Sequence, residues 1–129
     1  MIESAEEFVA LRTSTDPQEY ERAAHEAAVD EVWFDVIDRF PDMRQWVAHN
    51  KTTSAAVLER LAGDPDPRVR VQVAMANRVD VDLLRSLASD PDESVRARVA
   101  HHKRTPVDVL SAMRQDDSWV VRDAAARAD

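Results

Sequence analysis

Read at an interval of 26 residues, the apolar positions of this chain fall into columns. Val47-Ala48 returns as Val73-Ala74 and Val99-Ala100, and a fourth copy keeps the alanine as Ala125-Ala126. Leu58, Leu84 and Leu110 share a column, as do Leu61, Leu87 and Met113. From Asp38 onward no insertion breaks the register, which marks a stack of like units. Each unit holds two short stretches with apolar residues three or four apart, a helical spacing. In the second unit Thr53 is placed to cap a helix from Ser54 to about Ala62, and Asp66 with Pro67 starts another to about Ala76. Asp80 and Asp92 begin the corresponding helices of the next unit, and Thr105-Pro106 and a start near Asp117 those of the fourth. Between paired helices stand Asp64-Pro65-Asp66-Pro67 and Asp90-Pro91-Asp92, where proline stops one helix and aspartate caps the next. The pattern predicts an all-α fold built as a stack of helical hairpins.

Two polar columns are as regular as the apolar ones. One is Asp38, Asp64, Asp90 and Asp116; the other is Arg44, Arg70, Arg96 and Arg122. Together they give the motif Asp-Pro-Asp-x-x-Val-Arg-x-x-Val-Ala, at Asp64 to Ala74 and at Asp90 to Ala100. This motif resembles the leucine-rich repeat variant family and its HEAT-like relatives, over roughly the last two-thirds of the chain. The resemblance implies a right-handed α-α superhelix, a short HEAT-like solenoid, that binds other macromolecules. Some members of such families carry a cysteine-ligated iron–sulfur cluster, which a chain without cysteine cannot hold. The expected units are full α-hairpins.

Residues 1–40 fit the columns poorly and differ in charge, with 11 acidic against 3 basic side chains, while residues 41–129 hold 14 of each. They are expected to form an acidic helical N-terminal cap on the repeats of residues 41–129, within one structural domain. Ser4 with Glu7 reads as a capping box before Phe8, Val9 and Leu11, Asp16-Pro17 as the start of a helix to about Ala28, and Asp30 as the cap of Glu31 to Phe40.

Composition narrows the function. A net charge of −8 disfavours nucleic acid, whose phosphates call for a basic surface. The absence of cysteine removes thiolate nucleophiles and disulfides. A single glycine leaves no phosphate-cradling loop, and no serine stands in a nucleophile-elbow context. The N-terminus lacks a signal-peptide pattern and no apolar run approaches a membrane span, so a cytoplasmic location without membrane contact is expected.

The arginine column sits at the edge of the Val69–Val73 stripe, suited to bonding an aspartate at the neighbouring turn and so forming a structural ladder. The aspartate column precedes each second helix and is expected to cap it. His49 and His101 stand two units apart, roughly 16–20 Å at the usual helix spacing, too far to share a metal with bonds near 2 Å. No metal and no cofactor is expected. Opposite the buried stripe lie Trp46, His49, Arg68, Gln72, Met75, Arg98 and His101, which vary between units where the core does not. In HEAT-like solenoids this face is concave and binds partners. Trp33 and Trp119 read as core residues of the cap and of the last repeat. The expected function is a non-enzymatic scaffold that grips a protein or peptide on the second-helix face. The alternatives are a HEAT-like enzyme of DNA glycosylase or chromophore lyase type, and a purely structural, self-associating solenoid.

Overall fold

The computed structural model describes residues 1–128. Among them are ten α-helices, one 3₁₀ turn and no strand. The helices are α1 (Ala5–Thr13), α2 (Pro17–His25), α3 (Asp30–Arg39), α4 (Arg44–His49), α5 (Ala55–Ala62), α6 (Pro67–Met75), α7 (Val81–Leu87), α8 (Glu93–His101), α9 (Val107–Met113) and α10 (Trp119–Arg127), with the 3₁₀ turn Pro41–Met43 leading into α4. The odd-numbered helices pair with the even-numbered ones that follow, and α4, α6, α8 and α10 pack each on the next. The result is an α-α solenoid.

Each hairpin is too small to bury an apolar stripe alone, so the stripes meet between helices. In the second unit Val57, Leu58 and Leu61 of α5 and Val69, Val73 and Ala74 of α6 are all buried. Leu84, Leu87, Val95, Val99 and Ala100 repeat the arrangement one unit on. At about 1.5–3 kcal/mol for each large aliphatic side chain, this burial holds together helices of seven to nine residues that would not form alone in water.

Local capping sets the helix starts. The carboxylates of Asp16, Asp66, Asp80 and Asp92 and the hydroxyls of Ser4 and Ser54 each accept a hydrogen bond from a backbone N–H two or three residues on. Four starts depart from expectation. Ser54, not Thr53, caps α5, because Thr53 is buried and its hydroxyl donates to the Asn50 carbonyl at 3.3 Å. Pro106 takes the cap position of α9 while the buried Thr105 donates to the Val99 carbonyl at 2.6 Å. Val29 precedes α3, so Asp30 is its first helical residue, and its carboxylate accepts from the Ser54 hydroxyl at 3.0 Å. Helix α10 starts after Ser118, whose N–H donates to the Asp116 carboxylate at 2.9 Å. At the other end of the chain, α2 stops at His25, short of Ala28.

The change in charge at residue 40 falls inside a hairpin. Helix α3 pairs with α4, and α1 packs against both α2 and α3 while α2 reaches α4. The α1–α2 hairpin therefore occupies the place of one further unit. Its core contact is Phe8 set edge-on to Trp33, ring centroids 5.0 Å apart, both fully buried. The Trp33 indole N–H is buried without an acceptor, so this ring serves by its volume.

Candidate binding face and the arginine–aspartate ladder

The two polar columns interlock at the edge of the core. Arg70 donates through Nε and Nη2 to the two carboxylate oxygens of Asp90, at 2.8 and 3.1 Å, and through Nη1 to the Asp64 carbonyl at 2.8 Å. Arg96 repeats this toward Asp116, at 3.0 and 3.1 Å, and the Asp90 carbonyl at 2.8 Å. Each arginine thus ties its own turn to that of the next unit through a planar fork that matches a carboxylate. The ends of the row differ. Arg44 donates to the Ile37 carbonyl and reaches Asp64 through one nitrogen at 3.3 Å. Arg122 keeps the Asp116 carbonyl at 2.7 Å and is exposed. Asp38 stands apart from the row: it is exposed on α3 and pairs with Arg60 at 2.6 Å.

The aspartates of this column cap one step earlier than their position suggests. Asp64, Asp90 and Asp116 accept from the N–H of Asp66, Asp92 and Ser118, the residue before each helix. The helix N–H groups themselves go to Asp66 and Asp92. Burial raises the Asp116 carboxyl, but the Arg96 guanidinium and the Ser118 N–H outweigh it and hold the group below the ordinary aspartate value. Asp92 is held low by the Ser94 hydroxyl and backbone N–H, and Asp66 by Arg68.

The seven face residues divide by what they touch. Met75 is 46% exposed, and His49, Arg98 and His101 are exposed, while Gln72 is half-buried. Trp46 is half-buried: the Arg12 guanidinium lies 3.5 Å from its ring centroid and the His49 ring stands edge-on to it at 5.7 Å. Arg68 folds back on its own cap, with Nη2 2.9 Å from Asp66, so its charge is spent at the start of α6. Trp119, expected in the core, is 68% exposed as the first residue of α10. Two pockets adjoin on this side. One, of about 220 Å³, includes His49, Gln72 and Met75 in its lining; the other, of about 190 Å³, includes Arg12, Tyr20, Trp46 and His49. His49 belongs to both.

The family model of the leucine rich repeat variant matches residues 41–66, one period of the repeat, from the 3₁₀ turn before α4 to the cap of α6. The unit of residues 41–66 is similar to the leucine rich repeat variant. No curated protein and no solved structure matches the chain.

Three residues outside the predicted set shape the site. Asn50 follows α4 and donates to the carbonyls of Ala23 and Glu26, at 2.8 and 3.0 Å, seating the α1–α2 hairpin on α4. Lys51 and Arg78 follow α4 and α6 and line the larger pocket. They stand after the last periodic apolar residue of each second helix, where basic side chains are ordinarily read as partners of the helix C-terminus. Among the described residues no three His, Asp or Glu side chains cluster as metal ligands, and no helix is long and apolar enough to cross a membrane.

Proposed function

We propose that the protein is a non-enzymatic interaction module that binds a protein or peptide on its second-helix face. The observation that carries this reading is the pair of adjoining pockets between Trp46, His49, Gln72 and Met75. They lie on the columns that the repeat leaves free to vary, and they pair an exposed methionine with a half-buried tryptophan. Aromatic, Met and Arg side chains are the types enriched at interfaces. The ionisable groups support binding over catalysis. Every described carboxylate with a displaced pKa is displaced downward, as in Asp35, Asp66, Asp92, Asp108 and Asp116, whereas a general acid working near neutrality needs its value raised. With the net charge of −8, this speaks against a glycosylase-type reading.

Capture of partners from extract, with Met75→Ala and Arg98→Ala compared against Glu59→Ala and Arg85→Ala on the first-helix side, tests the face. The first pair should weaken capture of a given partner, by roughly thirtyfold where a hot spot of about 2 kcal/mol is lost, and the second pair should leave it unchanged. Larger losses from the first-helix pair, with both proteins folded, refute the assignment. A second reading, self-association, is favoured by the exposure of Trp119 and Val107 on the last hairpin, 68% and 78%. Light scattering on the parent and Trp119→Ala distinguishes it.

A further inference from the structure

One column, Asn50, Ala76, His102 and Ala128, closes the joints between successive hairpins in two of its copies and carries alanine in the other two. Asn50 reaches back to the carbonyls of Ala23 and Glu26. His102, two units on, has its ring Nε2 2.9 Å from the Ala76 carbonyl and closes the joint between α6 and α8. The residue midway between them is Ala76, which has nothing to send back toward α4. Beside it opens the pocket of about 220 Å³.

The chemistry of that pocket departs from the rest of the molecule. The chain has 25 acidic side chains, yet none lines it. Buried Ala48 and Leu58 contribute apolar wall, and exposed Met75, Lys51 and Arg78 complete it. Lys51 and Arg78 make no ion pair among the described residues; the Arg78 guanidinium touches only the Lys51 carbonyl, at 3.4 Å. Two cations without counter-ions beside an apolar wall suit a carboxylate attached to an aliphatic group.

Size and polarity narrow the ligand further. An apolar cavity of about 150 Å³ admits benzene, and drug-sized ligands take about 300–1,000 Å³. The pocket therefore holds one branched aliphatic residue with its carboxylate and is too small for a nucleotide. Helices α4 and α6 both end here; the Trp46, Val47 and Val73 carbonyls accept from the cap N–H groups of Asn50 and Ala76, and the remaining last-turn carbonyls lack intrahelical donors. Their partial negative charge disfavours a bare anion, so the ligand must bring N–H donors along with its carboxylate. The last residue of a polypeptide carries both.

We propose that the pocket beside Ala76 takes the C-terminal residue of a partner polypeptide, its aliphatic side chain against Ala48 and Leu58 and its carboxylate between Lys51 and Arg78. This rests on the second-helix face being the binding surface and names one subsite on it.

The test titrates acetyl-Gly-Ser-Gly-Leu, its C-terminal amide, and 4-methylpentanoate into the ¹⁵N-labelled full chain. The free acid should move the amide signals of residues 48–53 and 75–78 with a Kd of about 1 mM or tighter, and the amide and 4-methylpentanoate should each bind at least about tenfold more weakly. Ala76→His places in this joint the side chain that closes the next one, and it should abolish the shifts while the thermal melt is retained. Should that variant not fold, the exposed Lys51→Gln serves, with a several-fold weaker Kd expected. Equal binding of acid and amide, equal binding of 4-methylpentanoate, or unchanged affinity in a folded Ala76→His or Lys51→Gln variant overturns the proposal. If partner capture depends on Met75 and Arg98 but the tetrapeptide acid does not bind, the subsite is wrong and the reading of the face stands.

Discussion

Replacing Arg70 with alanine removes three hydrogen bonds at once: two to the Asp90 carboxylate, at 2.8 and 3.1 Å, and one to the Asp64 carbonyl, at 2.8 Å. The Asp90 side chain is only 5% exposed, and without its arginine it keeps a single described donor, the Asp92 N–H at 2.9 Å. A hydrogen bond to a charged group contributes about 1.5–3 kcal/mol, and breaking a fully buried ion pair costs about 3–5 kcal/mol. Arg70 retains 13% exposure, so water can enter and partly solvate the orphaned carboxylate. The expected loss is therefore about 2–3 kcal/mol. Urea melts followed by far-UV circular dichroism should show a midpoint lower by about 1 M with an unchanged slope. Arg122→Ala is the control, since that side chain is exposed and its one described hydrogen bond is to the Asp116 carbonyl, at 2.7 Å. It should cost under about 1 kcal/mol. If Arg70→Ala melts like the parent, or if Arg122→Ala costs as much, the ladder does not hold the stack together and the arginines are retained for another reason.

Three further outcomes follow from the same geometry. Asp116 has its folded pKa depressed, so the stability it contributes is present above the unfolded value near 3.9 and is lost as pH falls through the folded value; the cost of Arg96→Ala in urea melts should shrink between pH 7 and about pH 2, and a cost independent of pH would contradict the pairing. Phe8→Ala empties a fully buried site against Trp33 and should cost about 3–5 kcal/mol by thermal or urea melt, with limited proteolysis cutting first in α1–α2. Asp92→Ala removes the acceptor of the Ser94 N–H at 2.8 Å and should lower stability by about 1 kcal/mol, against no change for Asp82→Ala on the exposed side of α7.

The helical hairpins were legible because their signals are local. Proline at the first position of α6, aspartate before it and apolar residues at helical spacing each act within one turn, so a single chain displays them without any neighbour. The starts that escaped this reasoning failed for a tertiary cause. Thr53 and Thr105 have the right side chain for a cap, but they fall in a column that the solenoid buries, together with Val79, and their hydroxyls turn back to carbonyls at the end of the preceding helix. The unit at the N-terminus was hidden in another way. Phe8 and Trp33 fill space that smaller aliphatic residues fill elsewhere, so the columns blur although the hairpin spacing persists. Acid-rich composition draws its boundary at residue 40, which falls between the paired helices α3 and α4.

The face was legible as a set of variable columns but not as a surface, because a column fixes direction and says nothing of what a neighbour sends across it. Arg68 and Arg98 both stand exposed on successive second helices, yet Arg68 pairs with Asp66, which stands two residues before it in the turn. Trp46 is half covered by Arg12, a residue 34 places away whose approach depends on how the first hairpin docks. The pocket depends on an absence of the same kind, since alanine at position 76 looks like a conservative helix end until Asn50 and His102 are seen to do work that it cannot. Ala128 repeats the omission in the last copy, so alanine alone does not make the proposed subsite; the exposed Lys51 and Arg78 beside Ala76 set that joint apart. The copies that retain the side chain then define the variant that should close the site, which is why Ala76→His is a sharper probe of this face than removing any residue from it.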